Sequence, residues 1–278
     1  MSETPATRAY RVAYDGRPFH GFQRQPDVST VENAIFDALR ELGVLDDADK
    51  PEGYAAAGRT DAGVSARAQT VAFEAPEWLT PRAFNSELPA SVRAWASADV
   101  ASGFHATHDA VSRAYRYHLY APRDGDQRAL DEGPIRAALG RLAGEHDFHN
   151  LTPDETGTVR DLTTTVERDG DFLVVGLEAG GFARQLVRRV VGLAVEVGRG
   201  ESPVERVDRV LGEGIVEGPE GVAPAAPYPL VLWYVTYPDI EFSVDEDGVA
   251  SAREIFGDRC VEFSTRGRVA GAIRESLE

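Results

Sequence analysis

The chain has 278 residues, of which 42% are hydrophobic and 27% are charged, and its net charge is −17. This length and composition are typical of a globular protein of about two domains, which excludes a chain disordered throughout, and no apolar run reaches the roughly 18 residues of a membrane span. The single cysteine, Cys260, excludes an intramolecular disulfide and a cysteine-based metal site, and Met1 to Tyr10 lacks the pattern of a secretory signal, so a reducing cytoplasm is expected.

The first half of the chain predicts the order strand, helix, strand, strand, helix, strand. Alternating or apolar runs indicate strands at 8–14, 54–57, 68–73 and 92–98. Ser29 and Glu32 stand three residues apart, as in a capping box, and predict the start of the first helix. Pro81 indicates the start of the second helix. This is the split βαβ order of a ferredoxin-like unit.

The second half of the chain repeats this order. Strands are predicted at 114–120, 162–168, 172–178 and 230–237, and a long helix at 182–197. Another helix is predicted to begin with Pro134 at its first helical position, and a third to be capped by Ser202, Pro203 and Glu205. Because an unpaired sheet edge between the halves would be costly, we expect both halves to share one sheet.

The sequence therefore predicts an α+β protein in which two ferredoxin-like halves form one mostly antiparallel sheet with flanking helices. The predicted units are residues 1–104 and 105–240, followed by a tail of residues 241–278. The tail is acidic at first and then weakly helical, and we assign it no chemistry.

The charge balance is unusual, because 46 Asp and Glu face 29 Lys and Arg and Lys50 is the only lysine. A GC-rich genome would explain arginine in place of lysine, but it would not explain the excess of acid. In molar salt the Debye length falls to about 3 Å, which screens the repulsion among carboxylates. The composition predicts a halophilic host, in which only grouped arginines at short range would attract nucleic acid.

The densest candidate for chemistry is the segment 57–66, AGRTDAGVSA, between two predicted strands. Gly58 and Gly63 allow a tight turn that presents Arg59 and Asp61. An ionised carboxylate on a rigid turn can be a nucleophile, a base or a metal ligand. The same residues could equally form an ordinary turn with a surface ion pair, so the segment alone leaves these alternatives open.

Six blocks of the chain together resemble the tRNA pseudouridine synthase A family. The loop at 58–66 is similar to the signature GRTDxGVHA. The other blocks are similar to YDGxxFxGxQxQP, FHA with RxYRY, GxHDF, MVRxxxG and APAxGLxLxxVxY, and they lie at 14–26, 104–117, 144–148, 186–192 and 223–237. The resemblance covers about residues 9–238 in the order of the family.

The resemblance implies isomerisation of uridine to pseudouridine in the anticodon stem-loop of tRNA, around tRNA positions 38 to 40, with no metal or cofactor. It implies that Asp61 is the catalytic carboxylate, at a cleft between the halves, and that Arg188 approaches it. Tyr115 would stack on the target base and assist the loss of its C5 proton, and Leu230 would form an apolar wall of the uracil pocket. A homodimer that embraces the tRNA is also implied.

The reaction needs an exposed target nucleotide and a positively charged surface. The uridine must be flipped out of its stack, which costs a few kcal/mol, and Arg59 is the natural residue to fill the vacated space. The other arginines of the resembling blocks are candidate phosphate contacts, unless each is merely paired with a surface carboxylate: Arg24, Arg67, Arg113, Arg116, Arg184 and Arg189. Asp61 could attack C1′ or abstract the 2′ proton, and the sequence leaves both routes open.

The chain departs from the family pattern at four positions, with Ser65 in place of His, Thr107 where Arg is common, Leu186 in place of Met and Pro229 in place of Gly. These departures concern RNA contacts and the choice of target more than the chemistry.

Three other interpretations carry less weight. The histidines near 105–109 and 146–149 lack the spacing of a metal site, and loop hydrogen bonds are the expected role of His105 and His146. A noncatalytic RNA-binding protein on the same scaffold is the main alternative function. A glycoside hydrolase would need two carboxyl groups where the signature loop offers one.

Overall fold

The structure, a computed structural model, describes residues 6–123, 130–216 and 218–277, apart from the side chain of Pro219. The first five residues of the segment that lacks a secretory pattern lie outside this description. The strands are β1 (Ala6–Tyr14), β2 (Ala55–Ala56), β3 (Ser65–Ala75), β4 (Val92–Asp99), β5 (Ser112–Tyr120), β6 (Gly144–Asp147), β7 (Val159–Asp169), β8 (Phe172–Ala179), β9 (Leu230–Thr236) and β10 (Ser243–Val244). The α-helices are α1 (Val31–Glu41), α2 (Pro81–Asn85), α3 (Glu132–Leu142), α4 (Leu186–Gly198), α5 (Arg206–Leu211) and α6 (Glu246–Glu275).

The described strands form one sheet in the order β10-β4-β1-β3-β9-β5-β8-β7-β6, with β2 paired to β3. Within it, β4-β1-β3-β2 and β9-β5-β8-β7 each have the antiparallel order of a split βαβ unit. The two units join where Ser65 and Ala66 of β3 pair in parallel with Val231 and Leu232 of β9. The predicted fold, two ferredoxin-like halves in one mostly antiparallel sheet with flanking helices, is confirmed.

Each half buries its own apolar cluster. The first lies between β1, β3, β4 and the helices α1 and α2, and the second between β5, β8 and the helices α3 and α4. Strand β9 contributes Leu232 to the first cluster and Leu230 to the second. Both apolar clusters therefore pack against the pairing of β3 with β9. This packing fixes the position of the residues at the end of that pairing.

Two helix starts differ from the sequence prediction. Thr30, and not Ser29, caps α1, with its hydroxyl accepting from the Asn33 amide, and Glu32 accepts from the amide of Arg24 instead of closing a capping box. Asp131 caps α3. Pro134 is consequently the third residue of α3 and not the first. At α1 the neighbouring hydroxyl of Thr30 takes the cap expected of Ser29, and at α3 the Asp131 carboxylate starts the helix two residues earlier than predicted.

The two helices of the region 182–211 also begin differently. Helix α4 starts at Leu186, four residues later than predicted, because Gln185 adopts a left-handed conformation with φ of 62°. At α5 no side chain caps the helix, and the hydroxyl of Ser202 donates instead to Glu196. The segment 182–185 is therefore irregular, and it faces the site described below.

The tail contains the longest described helix, α6, which Asp245 caps. Only Gly248 is buried among its residues, so no face of α6 carries the apolar stripe that predicts a helix from sequence. The sequence predicts helix only weakly for this tail, and it does not predict the short strands β6 and β10. None of the described helices is long and apolar enough to cross a membrane. The division at 104 and 240 stays a prediction.

Two buried tyrosines and one half-buried tyrosine predict how stability depends on pH. Burial raises the pKa of Tyr115, Tyr117 and Tyr237 to about 12 in each case. An unfolded tyrosine titrates near pH 10, so the stability that depends on these neutral phenols is fully present below that pH and is lost as the pH rises through about 12. We expect the free energy of unfolding, measured by denaturant titration at constant salt, to fall across this interval. A flat profile up to pH 12 would contradict the burial of these phenols.

Candidate functional site

A cleft of about 1650 Å³ opens between the two halves, and both halves line it. The first half contributes the loop between β2 and β3, with Asp61. The second contributes Tyr115 of β5, the segment from Gly181 to Arg188, and Leu230 at the start of β9. The residues that the sequence predicts for catalysis and base binding are therefore brought together at the seam of the sheet.

The loop that carries Asp61 is fixed by hydrogen bonds to the end of β1 and to the segment that follows it. The amide of Phe22 donates to the Thr60 carbonyl at 3.0 Å, and the amide of Gly63 donates to the Phe19 carbonyl at 3.4 Å. The hydroxyls of Tyr14 and Thr60 lie 2.8 Å apart in a buried hydrogen bond. These contacts restrain the loop on both sides of Asp61.

The turn at Gly16 lies against the back of the same loop. A Cβ at Gly16 would lie 2.0 Å from the carbonyl oxygen of Val64, so only glycine fits there. The Gly16 amide donates to the hydroxyl of Ser65 at 3.1 Å. Ser65, where the family pattern has His, thus has a partner within the protein.

Asp61 forms an ion pair with Arg188 across the cleft. Nη1 of Arg188 lies 3.0 Å from Oδ2 of Asp61, and the two side chains are only 14% and 29% exposed. The Nε of Arg188 donates to the Ala225 carbonyl at 2.8 Å, which holds the guanidinium in place. Within the described residues nothing hydrogen-bonds to Oδ1 of Asp61, so this oxygen is available to a substrate.

Aromatic and aliphatic side chains form the wall beside Asp61. The rings of Tyr115 and Phe182 meet edge to face with centroids 5.2 Å apart, and Leu230 is buried at the same wall. Burial and then the charge of Asp61 raise the pKa of Tyr115 to about 12, so its phenol is neutral at physiological pH. Sequence reasoning placed Phe182 in the helix, because its apolar spacing continues that of α4.

Besides Arg188 and Arg113, three of the predicted arginines line the cleft. Arg59 is exposed there and makes no hydrogen bond or ion pair with the described part of the chain. Arg24 lies 3.3 Å from a carboxylate oxygen of Asp49, and Arg184 lies 3.3 Å from one of Asp154. These last two pairs are solvent-accessible, and an anion can compete for such arginines at little cost.

Arg113 does not fit its predicted role as a phosphate contact. It is 9% exposed, and its guanidinium donates to four backbone carbonyls, at Ala57, Thr107, Ala110 and Gly180. All of its N–H groups are used by these bonds. Arg113 instead links β5 by hydrogen bonds to Ala57, the residue before the loop of Asp61. The presence of an arginine in a motif does not predict this structural role.

Three further arginines lie away from the cleft surface. The guanidinium carbons of Arg67 and Arg116 lie 5.2 Å and 3.9 Å from the ring centre of Trp233, and neither residue lines the cleft. Arg116 follows Tyr115 in β5 and so points to the opposite side of the sheet. Arg189 donates to the Val222 carbonyl and to Gln185.

The cleft is basic although the protein is strongly acidic. It is lined by seven Lys or Arg side chains against four Asp or Glu, whereas the whole chain has a net charge of −17. Lys50 and Arg160, which no motif indicates, are among the seven. A local excess of positive charge in a cleft attracts polyanions more strongly than the net charge suggests.

Within the described residues no group of three or more His, Cys, Asp or Glu side chains could hold a metal ion. The predicted loop histidines make local bonds. His105 accepts from the Thr107 amide at 3.2 Å, and a ring nitrogen of His146 lies 3.0 Å from the Ala143 carbonyl. Thr107, where the family pattern often has Arg, donates its hydroxyl to the Ala56 carbonyl, just before the loop of Asp61.

A family model and several known proteins that are similar to this chain are named as tRNA pseudouridine synthases. The model of a family described as tRNA pseudouridine synthase matches residues 138–238. A tRNA pseudouridine synthase A of Haloarcula marismortui is 58% identical over 97% of this chain and 100% of its own length. One of Methanosarcina acetivorans is 38% identical over 97% of each chain. A chain in the crystal structure of a Cbf5-Nop10-Gar1 complex is 15% identical over 68% of this chain and 54% of its own, with a TM-score of 0.31, too low to bear on the fold.

The source of the similar proteins agrees with the charge of the chain. Besides the Haloarcula protein, a tRNA pseudouridine synthase A of Natronomonas pharaonis is 58% identical over 96% of this chain and 98% of its own length. Both organisms are halophilic archaea, which agrees with the host predicted from the acidic, lysine-poor composition.

A pair of glycine substitutions tests the packing of the Asp61 loop. Gly16→Ala should reduce the free energy of unfolding by about 1–3 kcal/mol, because its Cβ has no room against the Val64 carbonyl. Gly58→Ala is the matched control, since a Cβ there meets nothing within 4 Å, and its effect should stay within about 0.5 kcal/mol. Denaturant unfolding at constant salt measures both. Equal effects of the two substitutions would show that the turn does not support the loop.

Proposed function

This chain belongs to the tRNA pseudouridine synthase A family and isomerises uridine to pseudouridine in tRNA, and from this premise we propose that Asp61 is its catalytic carboxylate. The observation that carries the proposal is the ion pair of Asp61 with Arg188 in the cleft between the halves. The pair holds one carboxylate oxygen in place and leaves the other, Oδ1, open to the substrate.

The reaction moves one bond of the nucleotide and leaves its composition unchanged. The bond between C1′ and N1 breaks, and its electron pair stays with the uracil. The uracil then turns within the pocket, and its C5 forms a bond to C1′. The proton on C5 is lost and N1 ends protonated, so no oxidant, reductant or cofactor is consumed. The protein must hold both fragments until they rejoin.

Oδ1 of Asp61 can serve either of two routes. As a nucleophile it would attack C1′ and hold the sugar as a covalent adduct until C5 displaces it. As a base it would remove the 2′ proton and return it after the glycal has reacted. Both routes need a charged oxygen in a sheltered site at the sugar, and Asp61 is 29% exposed at the floor of such a cleft.

We propose that the detached uracil turns between Tyr115, Phe182 and Leu230. The edge-to-face pair of Tyr115 and Phe182 leaves an aromatic surface on which a pyrimidine can stack. We assign Tyr115 the role of stacking on the base. Burial and the charge of Asp61 raise its pKa to about 12, so its phenol is neutral when the base stacks on it.

The anticodon arm is the proposed target, and basic side chains of the cleft are its proposed contacts. Arg59, which lies beside Asp61 and lacks a partner among the described residues, would fill the space that the flipped uridine leaves. Arg24 and Arg184, at opposite sides of the cleft, would contact phosphates, together with Lys50 and Arg160. A noncatalytic RNA-binding role is disfavoured, because the relatives that match nearly the whole chain are synthases.

We propose further that the enzyme acts in the cytoplasm as a homodimer, as the resemblance implies. Sedimentation at molar salt should give twice the mass of one chain. A single-chain mass at micromolar protein would contradict the dimer and leave the assignment of Asp61 unaffected.

Replacing Asp61 by its amide tests the proposal. Asp61→Asn should reduce pseudouridine formation by about 10⁴-fold or more, because the amide can neither attack the sugar nor remove its proton. The assay incubates the enzyme at high salt with unmodified tRNA and maps pseudouridine by alkylation, which also shows whether the sites lie in the anticodon arm. The affinity for tRNA, measured alongside, should change by less than about threefold.

The control for this substitution is Asp239→Asn, an exposed aspartate outside the cleft, which should retain full activity. Turnover by a folded Asp61→Asn protein at a rate near that of the native enzyme would overturn the proposal.

Arg188 offers a second test, through its two fixed contacts. Arg188→Lys keeps the charge but cannot bond both Asp61 and the Ala225 carbonyl in the same geometry. We expect kcat to fall by about 10²-fold with little change in KM, as measured in single-turnover and steady-state assays. A rise in KM with an unchanged kcat would show that Arg188 binds RNA instead.

A further inference from the structure

The tail helix α6 contacts the back of the catalytic loop through one turn of the chain. We propose that Arg259 and Phe263 of α6 are positioning residues for Asp61, acting through the turn formed by Asp15, Gly16 and Arg17. This inference rests on the proposed catalytic role of Asp61, and it gives a role to a segment whose sequence carries no chemical motif.

The carboxylate of Asp15 is the centre of these contacts. Asp15 is only 4% exposed, and its Oδ1 accepts from the backbone amide of Arg17 at 3.1 Å and from the Arg17 Nε at 2.8 Å. Its Oδ2 accepts from Nη2 of Arg17 at 2.7 Å and from Nη1 of Arg259. Arg259 therefore binds a carboxylate that closes a tight ring with the following two residues.

Phe263 contacts the same turn from the same face of α6 as Arg259. It lies four residues after Arg259, one helical turn further along. The guanidinium carbon of Arg17 lies 3.7 Å from the centre of the Phe263 ring, a cation–π contact. Helix α6 thus holds both members of the Asp15 and Arg17 pair, one by charge and one by its ring.

The charges on this carboxylate act in the expected direction. Burial alone would raise the pKa of Asp15, but the hydrogen bonds and charge of Arg17, with the charge of Arg259, hold this pKa below its ordinary value. The stability that Asp15 contributes is therefore present above about pH 4 and is lost as the pH falls through the lowered pKa.

The turn transmits its position to the catalytic loop by direct contact. Gly16 lies so close to Val64 that a Cβ would be 2.0 Å from the Val64 carbonyl oxygen, and its amide bonds the hydroxyl of Ser65. Val64 is three residues from Asp61 and donates its amide to the Asp61 carbonyl at 3.1 Å. A displacement of the turn must therefore displace the loop.

The beginning of α6 also contacts the body of the protein. Arg82 of α2 forms an ion pair with Asp247 at 2.8 Å, and Gly248 packs against the backbone at Ala94 and Trp95. Further along α6, Arg259 and Phe263 contact the turn formed by Asp15, Gly16 and Arg17. Most of the residues that follow Ser264 are exposed. The half-buried Arg259 is 26% exposed, whereas Arg266 on the same helix is 73% exposed.

The test compares variants of one helix in the full-length protein. Arg259→Ala should reduce kcat by about tenfold with KM for tRNA changed by less than about twofold, because the loop shifts while the RNA contacts remain. Arg259→Lys should recover most of this loss, and Phe263→Leu, which keeps the apolar contact but removes the ring, should lose severalfold. Arg266→Ala, which removes the same charge from an exposed position, should leave kcat unchanged.

The outcomes separate this inference from the proposed function. The positioning role would be overturned if folded Arg259→Ala kept the native kcat, or if its kcat fell no more than that of Arg266→Ala. A rise in KM with an unchanged kcat would also overturn it. A variant that only lowers the free energy of unfolding, with kcat intact under conditions where it is fully folded, would also overturn it. Asp61→Asn, assayed in parallel, decides the catalytic assignment. If Asp61→Asn is inactive and the α6 variants keep the native kcat, only the role of α6 is overturned. If Asp61→Asn is active, the proposed function is overturned.

Discussion

The ion pair between Asp61 and Arg188 is the interaction on which the site depends. It joins a loop of the first half to a helix of the second, and it lies at the end of the only parallel pairing among the described strands, between β3 and β9. Since Arg188 is also held by the Ala225 carbonyl, the carboxylate meets a guanidinium whose position is already fixed. An arrangement of this kind is organised before the substrate arrives, which is the condition for electrostatic catalysis.

The rest of the first half keeps the Asp61 loop from moving. The buried hydrogen bond between Tyr14 and Thr60 comes from the end of β1, and the close approach of Gly16 to Val64 comes from the segment that follows it. Helix α6 supports that segment from outside. The protein also separates its charges: carboxylates cover a surface suited to high salt, while the cleft keeps an excess of basic side chains. An acidic protein can therefore accept a polyanionic substrate at close range.

Much of the fold could be predicted from the sequence, and the errors have physical reasons. The eight strands with clear alternation or apolar runs were found because each covers a buried cluster. The start of α4 was misplaced because Phe182 continues the helical spacing, although the left-handed Gln185 breaks the backbone before the helix. Helix α6 was predicted only weakly, because only Gly248 among its residues is fully buried. The contact between Asp61 and Arg188 could be predicted only from the resemblance, because 127 residues separate the two in the chain. The hydrogen bonds of Arg113 could not be predicted, because a sequence does not show which backbone carbonyls the fold brings next to a side chain.

The most direct test of the account is a structure of the complex with tRNA in which the target uridine carries fluorine at C5. The substitution leaves C5 without a proton to lose, so the reaction stops before its final step. The account predicts that the flipped ribose lies in the cleft with C5 of the turned base joined to C1′, and with Oδ1 of Asp61 within about 3.5 Å of C1′ or the 2′ carbon. A ribose placed against another side chain and remote from Asp61 would contradict it.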